Sequence, residues 1–362
     1  MSMDELRKEI DEIDSQLVEL INKRIHIAIE IGDEKDKTGR KVEDKEREKL
    51  VYDRVRAHAE SMNLNPHDIE NVYRQIITAC KNVQQKIKVA FQGEIGAYSE
   101  EAAYSYFGST VLIEPYESFE KVFLAVQNKE VEYGIVPVEN SLEGSISQVY
   151  DLLLDSSLRV CGEVKHRVIH CLIANPGTEL GTINKVYSHP QALGQCRKFL
   201  KQLNFELIPT YDTAGSVKMI KEQGLIYGAA IASARASDIY DMNIISRGIE
   251  DNPNNFTRFF ILSRQDAPST DNNKASIVFS VKHQPGALYR SLKELAVLNI
   301  NLTKIESRPT RQKPWEYNFY LDCEGYGTER ELKEALERLE KNSIFVKMLG
   351  SYPKAEEEPR ES

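Results

Sequence analysis

One short segment, Asn255-Phe256-Thr257-Arg258-Phe259, places an amide, a hydroxyl and a guanidinium between two aromatic side chains. None of these groups is a strong base. They suit binding of a carboxylated substrate and donation of a hydrogen bond or proton to an oxygen, rather than proton abstraction. Because the apolar run Phe260-Ile261-Leu262 follows, we predict that the polar groups lie at the mouth of a buried strand. An ordinary strand start, with Asn255 capping a turn, would give the same pattern.

A second group of charges lies near the start of the chain. Arg24 and Lys35 are eleven residues apart, about three helical turns, so both lie on one face of a helix. Arg47 and Gln84 could complete a pocket around them. Arg7 points roughly 100° away from Arg24 on the same helix, so it could reach that pocket only from a second chain. The alternative is a solvated helix face, where lysine and arginine are common.

Apolar spacing predicts the helices that carry these charges. The series Leu6, Ile10, Ile13, Leu17, Leu20, Ile27 and Ile31 predicts one helix of about thirty residues, about 45 Å long. Gly39 marks a turn, and a second helix is predicted from about 44 to 62. Asn65-Pro66 begins a third, which runs to about residue 85. Because the first helix is too long for its neighbours to cover, we predict an intertwined helical dimer.

From Lys86 to about residue 265, predicted strands alternate with helices, which indicates an α/β fold. Strands are predicted at 87–91, 134–138, 168–174, 185–188, 228–232 and 259–262. Small polar residues stand where four helices would begin, and helix N-termini suit carboxylates. These junctions are 98–100, 188–191, 212–216 and 232–233. Each alone also fits a simple cap, but the four together predict an anion-binding cleft. No G-x-G-x-x-G follows a strand, so no dinucleotide site is predicted.

Three histidines in this region invite a functional interpretation. His166 and His170 are four residues apart and could bind zinc on a helix, but their segment alternates like a strand and lacks an acidic third ligand. We therefore predict no metal. His189 precedes Pro190 at a predicted helix start, where it is either an acid or a packing residue.

The last part of the chain has a different pattern. Residues 265–274 form a polar linker, and the order strand, helix, strand, strand, helix, strand follows, which is a βαββαβ domain of the α+β class. The strands are predicted at 275–282, 301–307, 317–322 and 344–349, and the helices after Pro285-Gly286 and at 328–341. The acidic, proline-containing segment 353–362 is predicted to be disordered.

Composition limits the class of protein. The 362 residues are 41% hydrophobic and 28% charged, as in an ordinary soluble protein of two or three domains. No apolar run approaches a membrane span and the acidic start lacks a signal-peptide plan, so we expect a cytoplasmic protein without a membrane partner. Five scattered cysteines without a C-x-x-C pair predict neither disulfides nor a thiolate metal site. A net charge of -9 argues against nucleic acid.

The run Leu6-Arg7-x-x-Ile10-x-x-Ile13-Asp14, followed by Arg24, Gly32, Lys35 and Val42-x-Asp44-x-x-Arg47-Glu48, resembles the all-helical chorismate mutases over residues 1–86. That resemblance implies rearrangement of a dicarboxylate without acid, base or nucleophile. Arg24, Arg47 and the other subunit's Arg7 would hold carboxylates. Lys35 and Gln84 would contact the ether oxygen, and Asp44 and Glu48 the substrate hydroxyl. Cys80 stands where a serine is common.

Residues 87–266 resemble the prephenate dehydratases through Gly93-x-x-Gly96-Ala97-Tyr98-Ser99, Pro137-Val138-Glu139-Asn140-Ser141, Ser188-His189-Pro190-Gln191-Ala192-Leu193-x-Gln195-Cys196, Asp212-Thr213-Ala214 and Asn255 to Phe259. The family implies two α/β lobes, about 87–165 plus 248–266 and 166–247, similar to type II periplasmic binding proteins. It implies loss of water and carbon dioxide from prephenate to give phenylpyruvate. Thr257 would donate to the departing hydroxyl, and Arg258 would bind or steer a carboxylate. The other predicted cleft residues are Ser99, Asn140, Ser141, Ser188, Gln191, Thr213, Ser233, Asn255 and Phe256.

Residues 275–352 resemble the ACT regulatory domains attached to prephenate dehydratases, through Gly286-Ala287-Leu288-Tyr289 and Glu306-Ser307-Arg308-Pro309. The resemblance implies a phenylalanine site at a dimer interface, with Gly286, Ala287, Leu288, Glu306, Ser307 and Arg308 as its residues. An interaction module without a ligand is the alternative.

Together these patterns predict a cofactor-free bifunctional enzyme inhibited by phenylalanine, in a homodimer or homotetramer. Two alternatives remain: a mutase whose other domains only sense a ligand, and a purely regulatory phenylalanine sensor. A mutase joined to a dehydrogenase is disfavoured because no nucleotide fingerprint is present. Whether prephenate or its amino analogue arogenate is preferred stays open, as does whether Thr257 transfers a proton or only polarises the hydroxyl.

Overall fold

The computed structural model describes residues 3–38, 44–84, 87–109, 111–203, 205–310 and 315–355. The chain divides into two compact units, Met1–Ile87 and Lys88–Ser362. Within the described ranges, no helix combines the length and the apolar character needed to cross a membrane.

The described part of the first unit forms three helices: α1 (Met3–Thr38), α2 (Lys45–Ser61) and α3 (Pro66–Gln84). Helix α1 has 36 residues and is longer than predicted. Helix α2 begins directly after Asp44, whose carboxylate accepts a hydrogen bond from the backbone N–H of Arg47 (2.9 Å). This bond satisfies one of the free donors at the helix start. The predicted turn at Gly39 and the motif residue Val42 lie outside the described residues.

Helix α3 packs against both α1 and α2, but an apolar stripe in the first half of α1 is exposed within the chain. It is formed by Leu6, Ile10, Ile13, Leu17 and Leu20. Their spacing of three and four puts them on one helix face, and an exposed apolar stripe of this kind marks an interaction surface. It is the surface that the predicted intertwined dimer would cover.

The second unit begins with β1 (Lys88–Gln92), α4 (Tyr98–Phe107), β2 (Leu112–Tyr116), α5 (Phe119–Gln127), β3 (Tyr133–Asn140), β4 (Gly144–Ser145), α6 (Ser147–Asp155) and β5 (Arg159–Arg167). There follow β6 (Cys171–Ala174), β7 (Lys185–Ser188), α7 (Pro190–Gln195), α8 (Arg197–Leu203), β8 (Glu206–Pro209), α9 (Thr213–Gln223), β9 (Gly228–Ala232), α10 (Ala234–Ile239), β10 (Asn243–Arg247) and β11 (Phe256–Ser263).

These strands form two sheets. The first sheet has the order β2-β1-β3-β11-β5, with β4 beside β3, and the second has the order β10-β6-β9-β7-β8. Strand β11 lies antiparallel between β3 and β5. The chain therefore leaves the first sheet after β5 and returns to it in β11, which makes two crossings between the sheets.

The first crossing corrects one predicted strand. We predicted continuous extension over 168–174, but the structure ends β5 at Arg167 and begins β6 at Cys171. Between them the backbone bonds to the second crossing: Val168 N–H donates to the carbonyl of Asn255 (2.8 Å) and His170 N–H to the Glu250 carboxylate (2.9 Å). The alternating apolar pattern is therefore satisfied by two short extended pieces rather than one strand.

The last elements are β12 (Asn273–Ser280), α11 (Ala287–Val297), β13 (Leu302–Pro309), β14 (Tyr317–Glu324), α12 (Arg330–Asn342) and β15 (Phe345–Pro353). They have the βαββαβ order that was predicted, and the third sheet has the strand order β13-β14-β12-β15. One of its faces forms a core with Leu295 of α11 and with Leu332 and Leu339 of α12.

The other face of the third sheet shares a core with the first sheet. Val278, Tyr320 and Tyr352 belong to the same buried cluster as Val160 and Phe260. The chain end contributes to this contact, which contradicts the predicted disorder from residue 353. Pro353 is the last residue of β15, Lys354 N–H donates to the carbonyl of Asn272 (3.0 Å), and Ala355 N–H donates to Glu163 (3.1 Å). Residues 356–362 lie outside the described ranges.

Strand β15 approaches β5 so closely that a side chain has no room at Gly350. A Cβ there would overlap the carbonyl oxygen of Val160 and lie 2.7 Å from its amide nitrogen. We expect Gly350→Ala to lower the thermal unfolding midpoint of the second unit by several degrees, because two backbones would have to separate. Gly181→Ala is the matched control, since a Cβ at Gly181 meets no atom within 4 Å. Equal midpoints for the two variants in a thermal melt would contradict this contact.

Candidate active sites

The first candidate site is a cavity of about 250 Å³ in the helical unit. Five of the residues predicted for the mutase site line it: Arg24, Lys35, Asp44, Arg47 and Glu48. The remaining wall is mostly apolar and comes from Ile27, Ala28, Ile31, Val51, Ile77 and Cys80. The two cations of α1, Arg24 and Lys35, thus lie beside the start of α2. There the N-cap residue Asp44 and the first-turn residue Glu48 supply the two carboxylates.

Cys80 has a role in this cavity other than contacting a substrate. Its side chain is buried and its Sγ lies 2.7 Å from Nη1 of Arg24, which donates to it. Sulfur is a weak acceptor, but this bond orients the guanidinium and uses only one of its N–H groups. Three cations and two carboxylates face the cavity, so the site has an excess of positive charge for an anionic ligand.

Two predicted mutase residues are not part of this lining. Arg7 is exposed on α1, about 25 Å along the helix from Arg24 at 1.5 Å per residue. Gln84 is the last residue of α3, and its side chain lies outside the described part of the structure. Within one chain, Arg7 is thus too distant to contact a ligand in the cavity.

The second candidate site, which we call the cleft, is a cavity of about 160 Å³ in the second unit. Five predicted residues line it: Ser99, Asn140, Gln191, Thr213 and Thr257. Four further polar residues also line it without having been predicted as site residues: Tyr98, His170, His189 and Gln195. The cleft is lined by residues of the first sheet, of α4, of the first crossing, and of the helices α7 and α9 that follow strands of the second sheet.

Thr257 and Asn140 are cross-strand neighbours in β11 and β3. The Asn140 amide Nδ2 donates to the Thr257 hydroxyl (3.1 Å) and to Oδ1 of Asn255 (2.8 Å). Its Oδ1 accepts from the backbone N–H groups of Leu142 (3.0 Å) and Glu143 (3.1 Å). Since the Thr257 oxygen already accepts a hydrogen bond, the hydroxyl proton is available for a ligand in the cleft.

A row of hydrogen bonds continues from Asn255 to the far wall of the cleft. Asn255 Nδ2 donates to Gln195 Oε1 (2.9 Å), and His170 Nε2 lies 2.9 Å from the same oxygen. His170 Nδ1 lies 2.8 Å from the Tyr98 hydroxyl. Burial lowers the pKa of His170, so the ring is neutral. The Gln195 side chain is buried, and its Nε2 has no hydrogen-bond partner among the residues that the structure describes.

Besides Arg258, five residues predicted for the cleft do not line it. Ser188 donates to the carbonyl of Ile231 (2.6 Å) within the second sheet, and Ser233 caps α10 and donates to the carbonyl of Gly96 (2.9 Å). Ser141 bonds to the returning segment through the carbonyl of Asn254 (2.9 Å). The other two, Asn255 and Phe256, lie behind Thr257 and Asn140. These side chains hold the walls of the cleft in place instead of facing its interior.

Arg258 departs furthest from its predicted position. Adjacent residues of a strand face opposite sides of the sheet, and because Thr257 faces the cleft, Arg258 faces the third sheet. Its guanidinium forms ion pairs with Asp322 (2.6 Å), Glu139 (3.1 Å) and Glu163 (3.2 Å), and the residue is 8% exposed. The predicted contact between Arg258 and a substrate carboxylate is therefore wrong in this structure.

Arg258, Asp322, Glu163 and Lys274 form a buried ion cluster between the first and third sheets. Lys274 Nζ lies 2.9 Å from Glu163. Burial by itself would raise the pKa of Asp322, but the charges of Arg258 and Lys274 and the hydrogen bond from Ser276 hold that pKa below its ordinary value. The carboxylate is thus ionised and compensated, as a buried charge must be.

The residues predicted to bind phenylalanine separate into two places. Gly286 precedes α11 with φ +75°, and Ala287 and Leu288 line a cavity of about 150 Å³ together with Phe319 and Trp315. Glu306 and Arg308 instead face the first sheet and α6. Arg308 pairs with Asp151 (2.8 Å), and Glu306 bonds with Ser145 and Lys304. Ser307 is exposed. One chain does not bring the two motifs together.

Sequence comparison identifies relatives for both units. A model of type II chorismate mutases matches residues 6–85, and a model of prephenate dehydratases matches residues 89–267. A bifunctional chorismate mutase/prephenate dehydratase of Aquifex aeolicus is 38% identical over 357 residues, 97% of this chain and 98% of that protein. An arogenate dehydratase/prephenate dehydratase 2 of Arabidopsis thaliana is 42% identical over 279 residues, 74% of this chain and 73% of that protein.

A solved structure is similar to about three quarters of this chain. The crystal structure of prephenate dehydratase in complex with L-Phe from Arthrobacter aurescens covers 74% of this chain and 90% of its own, with a TM-score of 0.69 and 30% identity. The share of this chain that it covers is larger than the 89–267 region matched by the dehydratase model.

The buried ion cluster makes a prediction about stability. Replacing Asp322 by Asn leaves Arg258 buried with less compensation, and breaking such a pair costs about 3–5 kcal/mol of unfolding free energy. We expect the urea midpoint of the second unit to fall accordingly. Asp271→Asn, at an exposed position, is the control.

Because the pKa of Asp322 is lower in the folded chain, its contribution is complete above the unfolded-state pKa and is lost as the pH falls below it. An unchanged midpoint for Asp322→Asn would refute the role of the cluster.

Proposed function

The chain belongs to the family of bifunctional chorismate mutase/prephenate dehydratases, and we propose that the helical cavity rearranges chorismate to prephenate while the cleft converts prephenate to phenylpyruvate. The observation that carries this assignment is that the two matched regions each contain one cavity in which the predicted polar residues converge. A mutase with a non-catalytic sensing module is the alternative, and the position of Thr257 argues against it.

In the helical cavity the rearrangement needs position and charge rather than a proton. The carbon–oxygen bond of the ether breaks while a carbon–carbon bond forms within the same molecule, and negative charge develops on the ether oxygen. Lys35, which lines the cavity from α1, would stabilise that charge, with Gln84 as its proposed partner. Arg24 and Arg47 would each hold a carboxylate, and Asp44 and Glu48 would bind the hydroxyl and orient these cations.

In the cleft, dehydration and decarboxylation are coupled by aromatisation. When the bond from the ring to its carboxylate breaks, the electron pair enters the ring, and the ring carbon–hydroxyl bond breaks at the opposite position. The leaving hydroxyl takes up a proton and departs as water, and carbon dioxide is released. Thr257 is proposed to donate to this hydroxyl, because its own oxygen is already occupied by Asn140. Stabilising the leaving group lowers the barrier without changing ground-state binding.

The substrate carboxylates require donors elsewhere in the cleft. Gln195 Nε2 is buried without a partner within the described structure, so a carboxylate oxygen would satisfy it. Helix α4 begins at Tyr98 without a side-chain cap, and its first turn lines the cleft through Tyr98 and Ser99. Free N–H groups and the positive end of a helix dipole suit the second carboxylate.

Regulation by phenylalanine is proposed for the third sheet. The relative from Arthrobacter aurescens was solved in complex with L-Phe, and the chain has the βαββαβ order of an ACT domain. Gly286, Ala287 and Leu288 would contribute from one chain and exposed Ser307 from a second. Glu306 and Arg308 would act on the ligand only indirectly, since both bond to the first sheet and α6.

The first prediction separates the two activities. We expect Thr257→Ala to leave chorismate consumption near normal and to reduce phenylpyruvate formation at least about a hundredfold, the usual contribution of a positioned proton donor. The assay supplies chorismate alone and follows prephenate and phenylpyruvate, with and without phenylalanine, and repeats the second step with arogenate. Thr257→Ser keeps the hydroxyl and is the matched control.

Three outcomes of that assay would each contradict part of the proposal. Phenylpyruvate formation by the unaltered chain at only the spontaneous rate would exclude the dehydratase. Loss of both activities in Thr257→Ala would make Thr257 a structural residue. Phenylalanine without effect on phenylpyruvate formation would exclude the proposed regulation while leaving the two reactions intact.

The second prediction tests the shared mutase site. Arg7→Ala and Lys35→Ala should each be inactive in rearrangement alone. If Arg7 of one chain completes the cavity of another, unfolding and refolding them together yields mixed dimers with one intact site each, and about a quarter of normal activity returns. Mixing two preparations of Lys35→Ala is the control. No recovery in the mixed sample, with dimers present by sedimentation, would show that Arg7 does not complete the cavity of a second chain.

A further inference from the structure

The orientation of the Gln195 amide is not decided by its own shape, since its oxygen and nitrogen ends are nearly alike in size. Only one orientation places the NH₂ group where a carboxylate could accept from it. The structure has Oε1 of this cleft-lining residue bonded to Asn255 and His170 (both 2.9 Å), while its buried Nε2 has no partner among the described residues. Something must therefore prevent the amide from turning over.

The donor and the acceptor of each hydrogen bond in this row can be assigned in turn, starting from Asn140. Backbone N–H groups can only donate, so those of Leu142 and Glu143 require that Asn140 presents Oδ1 to them. Its Nδ2 then donates to Asn255, which must therefore present Oδ1 as the acceptor (2.8 Å). The Nδ2 of Asn255 therefore faces Gln195 and requires Oε1 there. Each step permits one orientation only.

The same sequence of bonds continues into His170. Because Gln195 presents an acceptor, His170 must carry its proton on Nε2, and its Nδ1 must accept from the Tyr98 hydroxyl (2.8 Å). Burial lowers the pKa of His170 and raises that of Tyr98 well above its ordinary value, so neither the imidazolium nor the phenolate competes. That hydroxyl has a single proton, so in this arrangement the carbonyl of Ile169, 3.0 Å away, is a second acceptor that shares the proton with Nδ1.

We propose that His170 is a positioning residue of the dehydratase site: its Nε2–H, together with Asn255, holds the oxygen of Gln195, so that the Gln195 NH₂ group donates to a substrate carboxylate. This rests on the proposed function of the cleft. His170 touches no reacting atom in this role. It acts on ground-state binding through Gln195, whereas Thr257 is held by the separate branch from Asn140.

The effect of His170 therefore falls on substrate binding more than on turnover. In His170→Phe a ring of similar shape replaces the imidazole without a donor, and the Gln195 amide loses one of its two fixed bonds. We expect KM for prephenate to rise about tenfold with kcat changed less than about threefold. In His170→Gln an amide Nε2 can take the place of the ring Nε2–H, so KM returns to within about threefold of the original value.

A double-mutant cycle distinguishes this role from a packing role. If His170 acts through Gln195, His170→Phe adds nothing to KM in a chain that already carries Gln195→Leu. Additive effects of the two substitutions, or a fall in kcat and thermal midpoint without a rise in KM, would overturn the proposal. The thermal midpoint of the second unit reports whether each variant is folded.

The proposal and the function on which it rests fail in different ways. If the unaltered chain forms phenylpyruvate only at the spontaneous rate, the dehydratase assignment itself is wrong. If it is active and His170→Phe has an unchanged KM, the cleft is catalytic but His170 does not position Gln195.

Discussion

The antiparallel pairing of β3 with β11 is the constraint on which the second unit depends. It sets Thr257 opposite Asn140 and Arg258 opposite Glu139. Because side chains alternate along a strand, one face of this strand pair belongs to the cleft and the other to the third sheet. A shift by one residue would bring a guanidinium into the cleft and bury a threonine in the ion cluster. Catalytic residues and sheet-to-sheet contacts are thus specified by one register.

The cleft also shows how the side chains of a small site are held in fixed orientations without charged residues. Two backbone N–H groups of residues 142 and 143 orient Asn140, and every further bond in the row follows from that choice. Thr257 receives its hydrogen bond from the same amide. The proton donor and the amide at the far wall are therefore oriented by a single fixed turn after β3. A buried network of this kind is rigid when every member is satisfied, and Gln195 Nε2 is the member that still lacks a partner among the described residues.

Much of this arrangement could be read from the sequence, and the exceptions have physical causes. The strand pattern and the polar motifs predicted the α/β fold and the convergence of Asn140 with Thr257. Arg258 was misplaced because we began its strand at residue 259, whereas β11 begins at Phe256. Alternation from 256 onward would have separated Thr257 from Arg258. His170 and Gln195 lie 25 residues apart in sequence, and no local pattern reveals that their side chains meet.

The core shared by the first and third sheets bears on how this chain can be divided. The dehydratase match ends at residue 267, yet Phe260 and Val160 pack against Val278, Tyr320 and Tyr352 from beyond it. A fragment cut at that boundary would expose an apolar sheet face and leave Arg258 and Glu163 without Asp322 and Lys274. The smallest stretch that keeps this core closed runs from β1 to Ala355. Any gene rearrangement that separates catalysis from the terminal sheet must therefore rebuild that face, so the two cannot be exchanged as independent modules.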